Sequence, residues 1–205
     1  MDAALRWTSA DLEVMPDNGK RYEIIDGELY VSRSQTFHHQ FACGQIFAHL
    51  NSWSQETNLG MANFGTGVIF ADDDDVIPDV VWISRDRLGK LLGKDGHFHA
   101  APDLVVEVLS PGSANEKRDR ESKLKLYSRR GVLEYWIVNW LLNDITIYRR
   151  KGKGLRLQET LHSSDTLASP LLPGFNCTVK SIFDVYIDIG NLADANGSAE
   201  NNPIN

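Results

Sequence analysis

Asp103-Leu104-Val105-Val106-Glu107-Val108-Leu109 is the stretch on which the fold turns. Its apolar residues do not alternate with polar ones, so it reads as a strand covered on both faces, of the kind found inside a sheet flanked by helices. Glu107 stands in the middle of it, among valines. A lone carboxylate in such surroundings is too costly to keep ionised, by several kcal/mol even after relaxation. It is therefore protonated, paired with a cation or bound to a metal. Taken alone, the residue leaves two readings open: an ion pair with a lysine or arginine of the next helix, or a metal ligand.

Downstream, Ser113-Ala-Asn-Glu116 has the spacing of a capping box, and the helix it opens is expected to run to Arg130 and stop at Gly131 in the left-handed C′ position. Glu134 to Asn139 is the next strand, and Asp144 to Arg150 pairs with it. Residues 157–187 hold the loop Ser169-Pro-Leu-Leu-Pro-Gly and a short closing segment near Ile182-Phe183. The tail from Gly190 onward, rich in Asn, Ala and Gly, is expected to be disordered, which leaves residues 1–189 as a single domain.

Upstream, Pro78-Asp79 opens the strand Val80-Val-Trp-Ile83 directly after the acidic run Asp72 to Asp75. Residues 61–70 read as its partner strand, with the aspartate run as the turn between them, and Leu88 to Ala101 as a connection. Ala42, Ile46, Leu50 and Trp53 recur at helical spacing, predicting a core-facing helix from His38 to about Trp53. Asp26-Gly27 between two β-rich runs, Arg21 to Ile25 and Glu28 to Ser32, predicts an N-terminal β-hairpin. Thr8-Ser9 offers a helix start that Pro16 to Gly19 ends. This order of elements gives the α/β class, a central mixed sheet flanked by helices.

The 205 residues suit one such domain. No signal-peptide pattern opens the chain, and its most apolar stretch, Leu133 to Leu142, is too short to cross a bilayer. A cytoplasmic protein with no membrane partner is expected. Cys43 and Cys177 lack motif spacing and read as reduced packing residues. The net charge of −7 argues against a surface that binds nucleic acid everywhere, but not against a local basic groove. Seven lysines and arginines, among them Arg118, Arg120, Lys123 and Arg130, crowd residues 117–130.

Asp79 and Glu107 would converge on one edge of the sheet if their strands are neighbours. Two carboxylates with waters and a phosphate are a set that Mg²⁺ accepts, and Mn²⁺ is expected to substitute. Lys123, about two turns into the following helix on the face of Asp119, Tyr127 and Arg130, could steady an attacking water or growing charge on phosphorus. It is equally spaced for a surface pair with Asp119.

The chain resembles the Uma-type family of restriction-endonuclease-like proteins, a branch of the PD-(D/E)XK nuclease superfamily. The resemblance rests on Arg21-Tyr-Glu-Ile-Ile-Asp-Gly-Glu-Leu, Ile77-Pro-Asp-Val-Val-Trp, and Ala101-Pro-Asp-Leu-Val-Val-Glu-Val-Leu-Ser-Pro. It continues through Arg118-Asp-Arg-Glu-Ser-Lys-Leu-Lys-Leu-Tyr, Gly131-Val-Leu-Glu-Tyr-Trp-Ile-Val and Ser169-Pro-Leu-Leu-Pro-Gly-Phe, spanning about residues 7–186. It implies a restriction-endonuclease-like core and a DNA endonuclease with Asp79 and Glu107 as metal ligands. The lysine usual two positions after the glutamate is replaced by Leu109, and Lys123 from the following helix takes its place. Asn139 departs from the aspartate often found in relatives.

Secondary candidates are Glu23, which could equally be a hairpin cross-strand partner, His39 on the helix face of Cys43 and Ile46, and Tyr127. Arg118, Arg120 and Arg130 are candidate phosphate binders. Asp103 lies roughly 13 Å from Glu107 along the strand and reads as structural. His97 and His99 read as a solvated loop. Since many nucleases pair two sites to cut two strands, a homodimer is expected by analogy. The competing reading is a non-catalytic nucleic-acid- or protein-binding module that keeps the nuclease fold.

Overall fold

The computed structural model describes residues 5–185; the tail expected to be disordered lies outside them. Its central sheet has six strands. In spatial order they are β10 (Gly154–Leu161), β9 (Asp144–Lys151), β8 (Glu134–Asn139), β7 (Leu104–Val108), β6 (Val80–Ser84) and β3 (Gly60–Phe64), numbered along the chain. Only the central β7–β8 pair is parallel, so the sheet is mixed as expected. All five residues of β7 are buried, as a non-alternating apolar run requires.

The two-residue period of the strands divides the core. Val80, Trp82, Leu104, Val106, Trp136 and Val138 face helix α2 (Phe37–Thr57), which presents Ala42, Ile46, Leu50 and Trp53. Val81, Ile83, Val105, Tyr135 and Ile137 face the opposite way, onto Leu126 and Tyr127 from the helical crossover between β7 and β8. A second sheet holds β1 (Arg21–Ile25), β2 (Glu28–Ser32), β4 (Val68–Ala71) and β5 (Asp74–Val76) in the order β2-β1-β5-β4. Its N-terminal hairpin turns on Asp26 and Gly27, both at positive φ, as a two-residue turn between twisted strands demands.

Several expectations need correction. Residues 61–70 are two strands in different sheets, because the chain turns away after Phe64 at Gly65, where φ is +63°. The β6 strand therefore pairs with β3, and β4 pairs with β5. The aspartate run is only partly a turn: Asp74 lies in β5, buried, and accepts hydrogen bonds from Arg129 and Arg130. The helix expected from Ser113 to Arg130 is α4 (Ser113–Lys117), a π-helical turn over Arg118–Lys123 and α5 (Leu124–Arg130). Its N-cap is Gly112, one residue before the serine expected there. Gly131 closes it in the left-handed region, as expected.

In the C-terminal region the expected loop Ser169-Pro-Leu-Leu-Pro-Gly is the tight turn and first part of a hairpin, β11 (Thr166–Ser169) and β12 (Leu172–Thr178), and the closing segment near Ile182-Phe183 is the short helix α6 (Val179–Phe183). The early helix start at Thr8 is a true capping box with Asp11, but α1 (Ser9–Leu12) lasts one turn. A further short helix, α3 (Arg85–Leu91), follows β6. Asp103 is structural: its carboxylate takes the Ser84 N–H and pairs with Arg87. Asn139 accepts the Leu141 and Leu142 N–H groups in the β8–β9 turn. Cys43 and Cys177 are both free and buried. Among the described residues no helix is long and apolar enough to cross a membrane.

Candidate active site

The β6 and β7 strands run antiparallel with Val80 opposite Val106. Asp79 and Glu107, each one residue further, therefore face each other at the end of that ladder, on the same side of the sheet. Asp79 lies just outside β6, and its Oδ2 accepts the Val108 N–H at 2.9 Å. That oxygen also lies 3.2 Å from His39 Nε2, while Oδ1 accepts from Arg21 at 3.0 Å. Burial alone would raise the Asp79 pKa; the His39 hydrogen bond and charge, then Arg21 and Lys123, outweigh it and hold the carboxyl well below its ordinary range.

Glu107 is held by the crossover. Lys123 Nζ lies 2.9 Å from its Oε1, and the Tyr127 hydroxyl donates to the same oxygen at 2.6 Å. The cation on Glu107 is thus a lysine of the adjacent helix, one of the two partners the ion-pair reading allowed. Lys123 is no surface residue: it is 1% exposed and also bonds Glu23 Oε1 at 2.9 Å. Its proposed partner Asp119 pairs instead with Arg118.

The π turn explains why two cations reach one spot. In an α-helix Arg118 and Lys123 would point about 140° apart. The wider turn brings residues five apart towards one face. Both then reach Glu23, Lys123 directly and Arg118 at 3.9 Å.

Glu23 pairs in backbone register with Tyr30, as a hairpin residue should, but its side chain leaves the hairpin for this cluster. It is 1% exposed; Oε1 also accepts the Ile77 N–H, and Oε2 is buried without any hydrogen-bond partner. Burial would raise its pKa, and Lys123 followed by Arg118 overcomes that and lowers it.

The cluster is crowded with acids. Four buried carboxyl groups (Glu23, Asp79, Glu107 and Asp119) gather around Arg21, Arg118, Lys123 and the His39 imidazole. The strain of that crowding falls on Glu107, which holds a proton in consequence. Burial, opposed by Lys123 and reinforced by Asp79, Asp119 and Glu23, pushes its pKa up to about 8. Lys123 keeps its proton, because Glu107 and then Glu23 and Asp119 outweigh its own desolvation. A buried carboxylate oxygen without a partner and a carboxyl kept protonated by its acidic neighbours are what a divalent cation relieves, and carboxylates such as Glu23, Asp79 and Glu107 are the ligand type a hard ion takes. Among the described residues, however, the donors already within 4.8 Å of one another are those of His39, Cys43 and Asp79.

The other candidates separate. Arg118 donates to Asp119 and Ser32, and Arg130 is engaged by Asp74, so both guanidiniums are turned onto internal partners. Arg120 is half-buried with no ion pair among the described residues. His97 and His99 both contact the exposed Asp95 on the surface. Leu109 fills the core where the usual lysine would stand. Sequence reasoning overlooked Arg21 as the partner of Asp79, although it opens one of the family-like stretches, and it treated Cys43 as packing alone, although Cys43 lies next to His39.

A solved structure titled as a putative nuclease belonging to DUF820, from Anabaena variabilis, superposes with a TM-score of 0.69. It is 18% identical and covers 86% of this chain and 97% of its own, so it is similar in fold. No curated protein matches. A sequence profile described as "Uma2: Putative restriction endonuclease" matches residues 9–180. With its profile spanning most of the chain and the nuclease-like fold behind it, the protein belongs to the Uma2 family of putative restriction endonucleases.

Proposed function

We propose that the protein is a divalent-metal-dependent endonuclease that hydrolyses phosphodiester bonds of DNA. The observation that carries this reading is the buried acid-rich cluster of Glu23, Asp79 and Glu107 around Lys123, with Glu23 Oε2 left without a hydrogen-bond partner. Asp79 and Glu107, joined by Glu23, would hold Mg²⁺ or Mn²⁺. Bound there, the ion would acidify a coordinated water and neutralise the scissile phosphate.

Each side chain then has a role that its environment supports. Lys123, held as an ammonium, acts through charge on the developing phosphorane and does not serve as a base. Tyr127 fixes the Glu107 carboxylate by its 2.6 Å hydrogen bond and is a positioning residue. His39 and Arg21 orient Asp79, one on each of its carboxylate oxygens. Arg120 is the basic side chain of the π turn free to meet a flanking phosphate.

The test is nicking of supercoiled plasmid with Mg²⁺ or Mn²⁺. Wild type should cut, chelator should stop it, and Asp79→Ala and Glu107→Ala should each abolish cutting while remaining folded by circular dichroism. Full activity in both variants would refute the assignment. One observation favours a second reading, a non-catalytic binding module: Lys123 and Asp79 are already satisfied by protein partners, and Leu109 replaces the usual lysine. Calorimetry separates the two, since a module of that kind takes up no Mg²⁺ or Mn²⁺ that depends on Glu107.

A further inference from the structure

Beside Asp79 lies a group of donors of which the hydrolytic reading uses only Asp79 as a ligand. His39 and Cys43 are one helical turn apart at the start of α2, so their side chains share a face. The His39 ring touches both Cys43 and Asp79, with Nδ1 3.5 Å from Cys43 Sγ and Nε2 3.2 Å from Asp79 Oδ2. One donor atom from each of the three lies within 4.8 Å of the others, and all three residues are buried. This is a different chemistry from the all-oxygen cluster: one sulfur, one imidazole nitrogen and one carboxylate oxygen.

We propose that His39, Cys43 and Asp79 form a second metal site, selective for a borderline or soft divalent cation such as Zn²⁺. Tetrahedral zinc, with bonds of about 2.0–2.3 Å, places its ligands roughly 3.3–3.8 Å apart. The three donors need to draw together by no more than about 1–1.5 Å to meet that, a movement within side-chain rotation. The fourth position is supplied from solvent. A cleft of about 440 Å³ is lined by Cys43, Asp79, Arg21 and Phe64, which gives an ion a route in and room for a water. Thiolate and imidazole ligands select Zn²⁺ over Mg²⁺. The Cys43 proton leaves to solvent on binding, so thiolate and Asp79 together balance a divalent charge.

Asp79 is common to both sites, and this gives the second one a consequence. An ion held by His39, Cys43 and Asp79 engages a carboxylate that the hydrolytic site also needs and sets a second dication beside it, so occupation by Zn²⁺ opposes occupation by Mg²⁺. The second site itself does not rest on the nuclease reading, because its ligands are complete without Glu107.

Co²⁺ titration of the purified full chain, followed by absorption, tests the site. Wild type should develop a thiolate-to-cobalt band in the near ultraviolet and visible bands of tetrahedral intensity, saturating at one equivalent, and Zn²⁺ should bleach both. Cys43→Ser should lose the near-ultraviolet band, and His39→Ala should weaken Co²⁺ binding at least tenfold. Cys177→Ser should leave the spectrum unchanged. Glu107→Gln should keep it as well, which separates failure of this site from failure of the hydrolytic one. No thiolate band in wild type, or a band that survives Cys43→Ser, overturns the proposal.

Discussion

Lys123 Nζ sits 2.9 Å from Glu107 Oε1 with both side chains almost fully buried. A pair of this kind contributes little over a well-packed apolar pair, but removing one partner strands the other. Lys123→Met should therefore cost about 3–5 kcal/mol, the range for a broken buried pair. The effect is amplified because Glu23 loses the same ammonium. Urea denaturation measures it, and Lys123→Met combined with Glu107→Gln should cost less than the sum of the two single changes. A midpoint unchanged in Lys123→Met would contradict the burial of this lysine.

The Glu107 pKa of about 8 gives cation binding a pH signature. Below that value the carboxyl carries a proton that the metal must displace. Apparent Mg²⁺ affinity should rise about tenfold per unit from pH 6 towards 8 and then level off. Near pH 7, close to one proton should leave per ion bound, read by calorimetry in buffers of differing ionisation enthalpy. Metal-free stability has the opposite slope. The folded state holds a proton that the unfolded chain gives up at about 4.5, so the Glu107 contribution is fully present below 4.5 and lost as pH rises to 8. Binding that ignores pH over this window would place the metal elsewhere.

Much of this architecture was legible because single residues carry strong local physics. Glu107 among valines forced the question of what neutralises it, and Asp26-Gly27 could hardly be anything but a tight hairpin turn. The unreadable parts share a cause: they depend on contacts distant in sequence. Gly65 splits an apparently continuous strand between two sheets, and the helical period cannot announce that the chain changes partners there. The π turn was invisible for the same reason, since Arg118 and Lys123 are drawn to a glutamate 95 and 100 positions upstream, Glu23. Glu23 itself shows the limit well: its hairpin register was readable, and the departure of its side chain into the cluster was not.

Asp74 tests a tie between the second sheet and the crossover. Its buried carboxylate accepts from Arg129, Arg130 and the Asp26 N–H. Asp74→Ala leaves that N–H unpaired, while the two arginines, about a third exposed, can turn to water. A loss of about 2 kcal/mol is expected. The Asp74 pKa lies below its ordinary 3.8: desolvation would raise it, and the Arg129 hydrogen bond, the Asp26 N–H and Arg130 outweigh that. Its contribution is therefore present above 3.8 and lost as pH falls, so wild type and variant should converge in stability in acid.

Glu107→Gln separates the cost of the charge from its use. The amide matches the protonated acid in shape, and its carbonyl oxygen can still accept from Lys123 and Tyr127. The amide also removes the one carboxyl whose ionisation Asp79, Asp119 and Glu23 oppose. The variant should be at least as stable as wild type at pH 8, where wild-type Glu107 begins to ionise, and should lose the fall in stability between pH 5 and 8. It should also lose Mg²⁺ uptake, because a neutral amide is a poor exchange for a carboxylate at a hard ion. Thermal melts across that range and calorimetry on the same samples read both effects. A variant markedly less stable at pH 8 would mean that ionised Glu107 is needed to hold Lys123 in place, and the cluster would then be a structural ion network whose balance requires no metal.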